Sequence, residues 1–175
     1  MLNGDGLRVV LWLSGCSHNC YKCQNPQTHN PSSGILFDEK AEEELFSELG
    51  KEYISGLTLT GGDPLHENNL DEVLNLVNKI RLLMPEKTIW LYSGYTWEEV
   101  WKPIADNKVK WNEWKSKFEN QIKRQEILKN VNVFVDGRYI DSKRDVSLKW
   151  RGSSNQKCID VKQTLQKGEI VLWAT

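Results

Sequence analysis

Cys16, Cys20 and Cys23 are the residues of this 175-residue chain best placed, by type and spacing, to do chemistry. Their thiolates are soft ligands, suited to an iron–sulfur cluster or to zinc. The start of the chain, Met-Leu-Asn-Gly-Asp-Gly, has no basic region followed by an apolar one, so a secreted disulfide framework is not expected. A metal or redox centre is. Three cysteines close in sequence can hold three irons of a cubane 4Fe–4S cluster and leave the fourth iron open to a substrate molecule. Spacing alone leaves two other readings open. A zinc-binding interaction module would need a fourth ligand from Cys158, His18 or His29. A plain electron carrier would need Cys158, although a lone cysteine is more often a small buried apolar residue.

A second candidate lies at Gly61-Gly62-Asp63-Pro64, directly after the apolar run Leu57-Thr58-Leu59-Thr60. Two glycines permit close backbone approach to a ligand. The carboxylate and exposed carbonyls can bind an ammonium group, and Pro64 stiffens the turn. Taken alone, the same turn is an ordinary strand-to-helix connection.

The elements that must position these residues follow from periodicity. Val9 to Ser14, Leu57 to Thr60, Thr88 to Tyr92, Val131 to Val135 and Ile170 to Trp173 read as strands alternating with helices, hence βα units and a mainly parallel sheet. Their nearly continuous apolar character suits strands covered on both faces. Ala41, Leu45, Phe46 and Leu49 share a helical face behind an Asp38 cap, and Leu70, Val73, Leu74, Val77 and Ile80 do so behind Asn68 or Asn69. Thr96 and Glu99 have capping-box spacing, starting a third helix that stops near Pro103. Trp111 to Lys129 reads as an added surface helix, with Trp114, Phe118 and Ile122 at helical spacing. In this order the cysteine loop and the glycine pair fall on the same rim of one sheet, where α/β folds build their sites.

Composition bounds the rest. With 39% apolar and 27% charged residues, the chain suits one globular domain. A net charge of −1 argues against a general nucleic-acid binder, and no run of about 18 apolar residues suggests a membrane span. A cytosolic protein is expected. Charge is uneven: residues 38–52 hold seven acids and two bases, residues 102–129 eight bases and four acids. Solvated helix faces explain this, as would a docking surface for a charged partner. The eight tryptophans suit core and rim packing.

Together, the Cys-x3-Cys-x2-Cys loop and the Gly-Gly-Asp-Pro turn resemble the radical S-adenosylmethionine enzymes. Within them, residues 60–66, 89–95, 135–137 and above all Trp150-Arg151-Gly152-Ser153-Ser154-Asn155-Gln156 resemble the activating proteins of anaerobic ribonucleoside-triphosphate reductases. The resemblance implies an open partial (β/α) barrel, since a full eightfold barrel takes about 250 residues. It further implies a 4Fe–4S cluster on Cys16, Cys20 and Cys23, with S-adenosylmethionine on the open iron. Lys22, Cys23, Gln24, Gly61, Gly62, Asp63, Ser93, Gly94 and Tyr95 would contact that cofactor. The implied partners are the large subunit of the reductase, which receives a glycyl radical, and a flavodoxin- or ferredoxin-type electron donor. The activator of pyruvate formate-lyase is the nearest alternative. Lys22 stands where related enzymes carry an aromatic residue, residues 108–129 exceed the usual linker, and several residues would precede Asn3-Gly4. Arg151 to Gln156 is expected either to dock the partner or to close the site.

Overall fold

Apolar runs and amphipathic stretches fold in the order their periods suggest. The computed structural model describes residues 3–103 and 111–174. Its sheet has the order β1 (Arg8–Leu13), β2 (Gly56–Gly61), β3 (Thr88–Tyr92), β4 (Val133–Asp136) and β5 (Lys157–Asp160). The first four strands are parallel and β5 joins β4 antiparallel. The fold is thus α/β with an open, mainly parallel sheet.

The helices are α1 (Glu39–Leu49), α2 (Leu70–Leu83), α3 (Trp97–Trp101), α4 (Trp111–Lys129) and α5 (Val161–Lys167). Local chemistry starts two of them as expected: the Asp38 carboxylate accepts from Ala41 N, and Thr96 with Glu99 forms a capping box. Asn69 differs. It makes no side-chain cap for α2, and its amide instead donates to the main-chain oxygens of Ser14 and Asp63.

All five helices contribute to a core on one face of the sheet. Leu11, Leu59, Leu91, Phe134 and Ile159 are successive partners across the strands, and they meet Leu49, Val77, Val100, Leu128 and Val161 there. The other face holds a smaller cluster of Trp90, Val133, Val135, Trp150 and Cys158, with Trp90 edge-on to Trp150 and Trp173. Near β1 that face becomes polar. Arg8 donates to the hydroxyls of Thr58 and Thr88 and to the carbonyls of Leu57 and Thr88, and burial lowers its pKa to about 10. Cover on both faces was the expectation from apolar strands, and helices provide it on one. Tryptophans on loop segments cover part of the second face instead.

The last strand also departs from expectation. Ile170 to Trp173 makes a single bridge, Leu172 to Ile159, and is not a strand. The fifth strand is Lys157–Asp160, whose charged ends and two apolar residues give no apolar run to detect. In α4, Phe118 and Ile122 are exposed, whereas Ile127 and Leu128 are fully buried in the main core. Its C-terminal end is core structure. Residues 108–110 of the basic stretch lie outside the described residues. Ile127→Ala is expected to cost about 2–5 kcal/mol in urea unfolding, against about 0.5 kcal/mol or less for Phe118→Ala.

Candidate metal centre

β1 ends at Leu13 and the chain passes through Gly15 into the cysteine loop, while β2 and β3 end beside it in Gly61-Gly62-Asp63 and Ser93-Gly94. Main chain meets main chain here: Gly62 N donates to Leu13 O at 2.7 Å, and Asp63 N to Gly15 O at 2.8 Å. A side chain would not fit. A Cβ on Gly62 would lie 2.5 Å from Gly15 O, and one on Gly61 2.7 Å from Leu13 O. Gly61 also has φ of +104°, which L side chains rarely adopt. The glycine pair therefore seats the cysteine loop as well as bordering a ligand space.

That space is a cavity of about 340 Å³, within the range of small-molecule sites. Cys16, Cys20 and Cys23 line it, and so do Gln24, Gly61, Gly62, Ser93 and Gly94. Three other expected contacts lie outside its lining. Lys22, at φ +54°, pairs with Asp141 on the surface at 2.9 Å. Tyr95 packs edge-on to His18 beneath the Arg124 guanidinium. Asp63 is 1% exposed, and its carboxylate accepts from His18 Nε2, Ser93 Oγ, Leu65 N and Gly94 N. The expectation that this carboxylate faces an ammonium group is revised, because its oxygens are already occupied.

A main-chain N–H lies near each sulfur in the cavity, and at Cys23 it makes a hydrogen bond. The neighbour of Cys16 is the N–H of His18 and that of Cys20 the N–H of Tyr139, while Asn25 N donates to Cys23 Sγ at 3.4 Å. Such donors favour the thiolate. Burial acts against them more strongly at Cys16 and Cys20 and pushes both thiols up. Iron binding must therefore release protons. Among the described residues no three His, Cys, Asp or Glu side chains come together around a single ion; a cubane, by contrast, spreads its cysteines over separate irons. Cys158 lies elsewhere, on β5 opposite Val135, where burial raises its pKa to about 11.

Sequence reasoning missed several lining residues. Trp12 and Thr60 come from strand ends and Tyr139 from the far end of the chain, where Arg151, Gly152 and Gln156, expected to dock a partner or close the site, line the cavity too. Gln156 Oε1 accepts from the N–H of Gly152 and Ser153, and its Nε2 donates to Gly137 O. This folds the Trp150 to Gln156 run against the cavity, the site-closing one of the two placements expected for Arg151 to Gln156. His29, Tyr92 and Arg151 line the cavity, and their Nε2, OH and Nε atoms are buried without a hydrogen-bond partner among the described residues. Unsatisfied buried groups call for a polar ligand. Three thiols with N–H donors, beside orphaned polar atoms, fit a cluster that carries one.

The fold and site together suit a protein of the iron–sulfur class. In agreement, a family model described as a 4Fe-4S single cluster domain matches residues 2–159. Among curated relatives, the anaerobic ribonucleoside-triphosphate reductase-activating protein of Enterobacteria phage T4 is 42% identical over 156 residues, 89% of this chain and 85% of the relative. Proteins of the same name from Haemophilus influenzae and Escherichia coli K12 are each 35% identical over 158 residues, covering 89% of this chain and 89% and 90% of their own lengths. The chain belongs to this family of activating proteins. No solved structure matches it.

Two measurements check this geometry. Gly62→Ala is expected to destabilise the fold by about 1–3 kcal/mol in urea unfolding and to lower iron uptake, since the clash is with backbone. In metal-free protein, burial disfavours the thiolate, so iodoacetamide should alkylate Cys16 and Cys20 with pH midpoints above the roughly 8.5 of a free cysteine.

Proposed function

We propose that this chain activates an anaerobic ribonucleoside-triphosphate reductase by reductive cleavage of S-adenosylmethionine at a 4Fe–4S cluster on Cys16, Cys20 and Cys23. The observation that carries the reading is one cavity lined by these three thiols and by partnerless polar atoms of His29, Tyr92 and Arg151. The names of the relatives favour this reductase over pyruvate formate-lyase as partner. When bound, the cluster supplies one electron to the sulfonium C–S bond, which breaks to methionine and a 5′-deoxyadenosyl radical able to take a hydrogen atom from a glycine of the large reductase subunit.

The chain's own residues bind, orient and shield. Gly61, Gly62, Ser93 and Gly94 border the cavity along the rim and offer main-chain groups to the amino-acid end of S-adenosylmethionine. Gln24 follows the last cysteine and borders the same space. Lys22, Asp63 and Tyr95 support from behind: Lys22 ties the loop to Asp141, and Asp63 and Tyr95 pack around His18. The Arg151 to Gln156 turn closes one side against water. Trp12, 52% exposed, stands on the accessible side.

Residues 1–175 form one domain in this reading, with an added helical segment at about 108–129. The sheet is an open partial (β/α) barrel, and its helix-free face receives a loop of the reductase. A flavodoxin- or ferredoxin-type protein in the cytoplasm delivers the electron. Among the described residues no helix is long and apolar enough to cross a membrane.

The test is anaerobic reconstitution with iron and sulfide, then dithionite and S-adenosylmethionine. Release of 5′-deoxyadenosine is expected, with a glycyl-radical signal when the reductase is present. Cys16→Ala, Cys20→Ala and Cys23→Ala should each lose the brown absorbance and at least about tenfold in product, while Cys158→Ala keeps both. A cluster-loaded protein that yields no 5′-deoxyadenosine would sink the proposal.

A further inference from the structure

His18 stands midway between Cys16 and Cys20 and lines the same cavity, and its side chain is bonded to the sheet rim. The ring is buried, with Nε2 2.7 Å from Asp63 Oδ2. As an ionised carboxylate only accepts, the ring carries its proton on Nε2. Asp63 is itself held by the Ser93 hydroxyl at 2.8 and 2.9 Å, by Gly94 N at 3.0 Å and by Leu65 N at 2.8 Å. Room for the imidazole comes from Gly94, where a Cβ would lie 2.2 Å from His18 Cδ2. Tyr95 closes the other side, edge-on at 4.7 Å.

The main chain of the same residue belongs to the cysteine loop. Its N–H lies close enough to Cys16 to favour the thiolate there. Beyond it the loop passes through Asn19 at φ +46° and Lys22 at φ +54°, conformations that persist only where the surroundings hold them. Few side chains could supply that hold. Ser17, Asn19 and Tyr21 have no side-chain hydrogen bond among the described residues, and Lys22 is bonded only at the exposed end of the loop.

We infer that His18 is a positioning residue of the cluster site: anchored to Asp63, it fixes the loop geometry between Cys16 and Cys20. This rests on the proposed reading of the cysteines as cluster ligands and deepens it. Hydrogen bonds to cluster sulfurs tune reduction potential, and partners behind the ligands hold metal affinity. Asp63 thereby acts at one remove from the cavity.

The test compares wild type with His18→Ala and His18→Gln, the latter keeping an N–H donor at similar reach. The readouts are the electron paramagnetic resonance line shape and midpoint potential of the reconstituted cluster, iron loss to EDTA, and the alkylation rate of Cys16 in metal-free protein. His18→Ala is expected to alter line shape and potential, and to speed both iron loss and alkylation by about tenfold. His18→Gln should recover most of each. Should His18→Ala not fold by circular dichroism, His18→Leu takes its place. Wild-type behaviour from the folded Ala or Leu variant overturns the inference, as does a folded Gln variant no better than it. A wild type that takes up no iron refutes the cluster reading alone, and the alkylation rates of metal-free protein still decide the anchor.

Discussion

Everything at the site depends on two strand ends lying closer than side chains allow. Leu13 and Gly15 accept main-chain protons from Gly62 and Asp63 across a gap that has no space for a Cβ at either glycine. That contact sets the height of the cysteine loop on the rim. It also places Asp63 where its carboxylate can collect donors from β3 and from the loop at once. The glycines thus act through distance, and the aspartate through the number of bonds it accepts.

The sheet serves two different solvents. One face is an apolar core built with every helix, and the other holds tryptophans toward β4 and β5 but Arg8, Thr58 and the cavity toward β1 and β2. Arg8 bonds the ends of β1, β2 and β3 far from the cysteines, and burial lowers its pKa because its charge has little water around it. One end of the parallel strands is therefore locked by a single guanidinium. The opposite end is held by glycine backbone and by Asp63, leaving the thiols room for a ligand.

Local signals were the legible ones. Asp38, Thr96 and Glu99 cap helices as their spacing suggests, because a cap is decided within four residues. The cysteine loop and the glycine pair were also readable, each following an apolar run that became a strand. What escaped is long-range. Nothing around Lys157–Asp160 marks it as a strand except β4 beside it. The pairing of His18 with Asp63 spans 45 residues, and the arrival of Arg151 and Gln156 at the cavity depends on the whole intervening fold. Asp63 was noticed for its charge, but a charge in sequence does not say which donors will reach it first.

The separation of the site's parts has a consequence for biosynthesis. The thiols leave the ribosome early, whereas Tyr139, whose N–H faces Cys20, and the Arg151 to Gln156 turn are made near the end. Until then the nascent chain displays three cysteines with neither their full complement of N–H donors nor a closed cavity wall. Domains generally fold as units, so in the proposed reading iron delivery would follow synthesis of residues 139–156. A cell making this protein must keep those thiols reduced and free of stray metal for the whole of that interval.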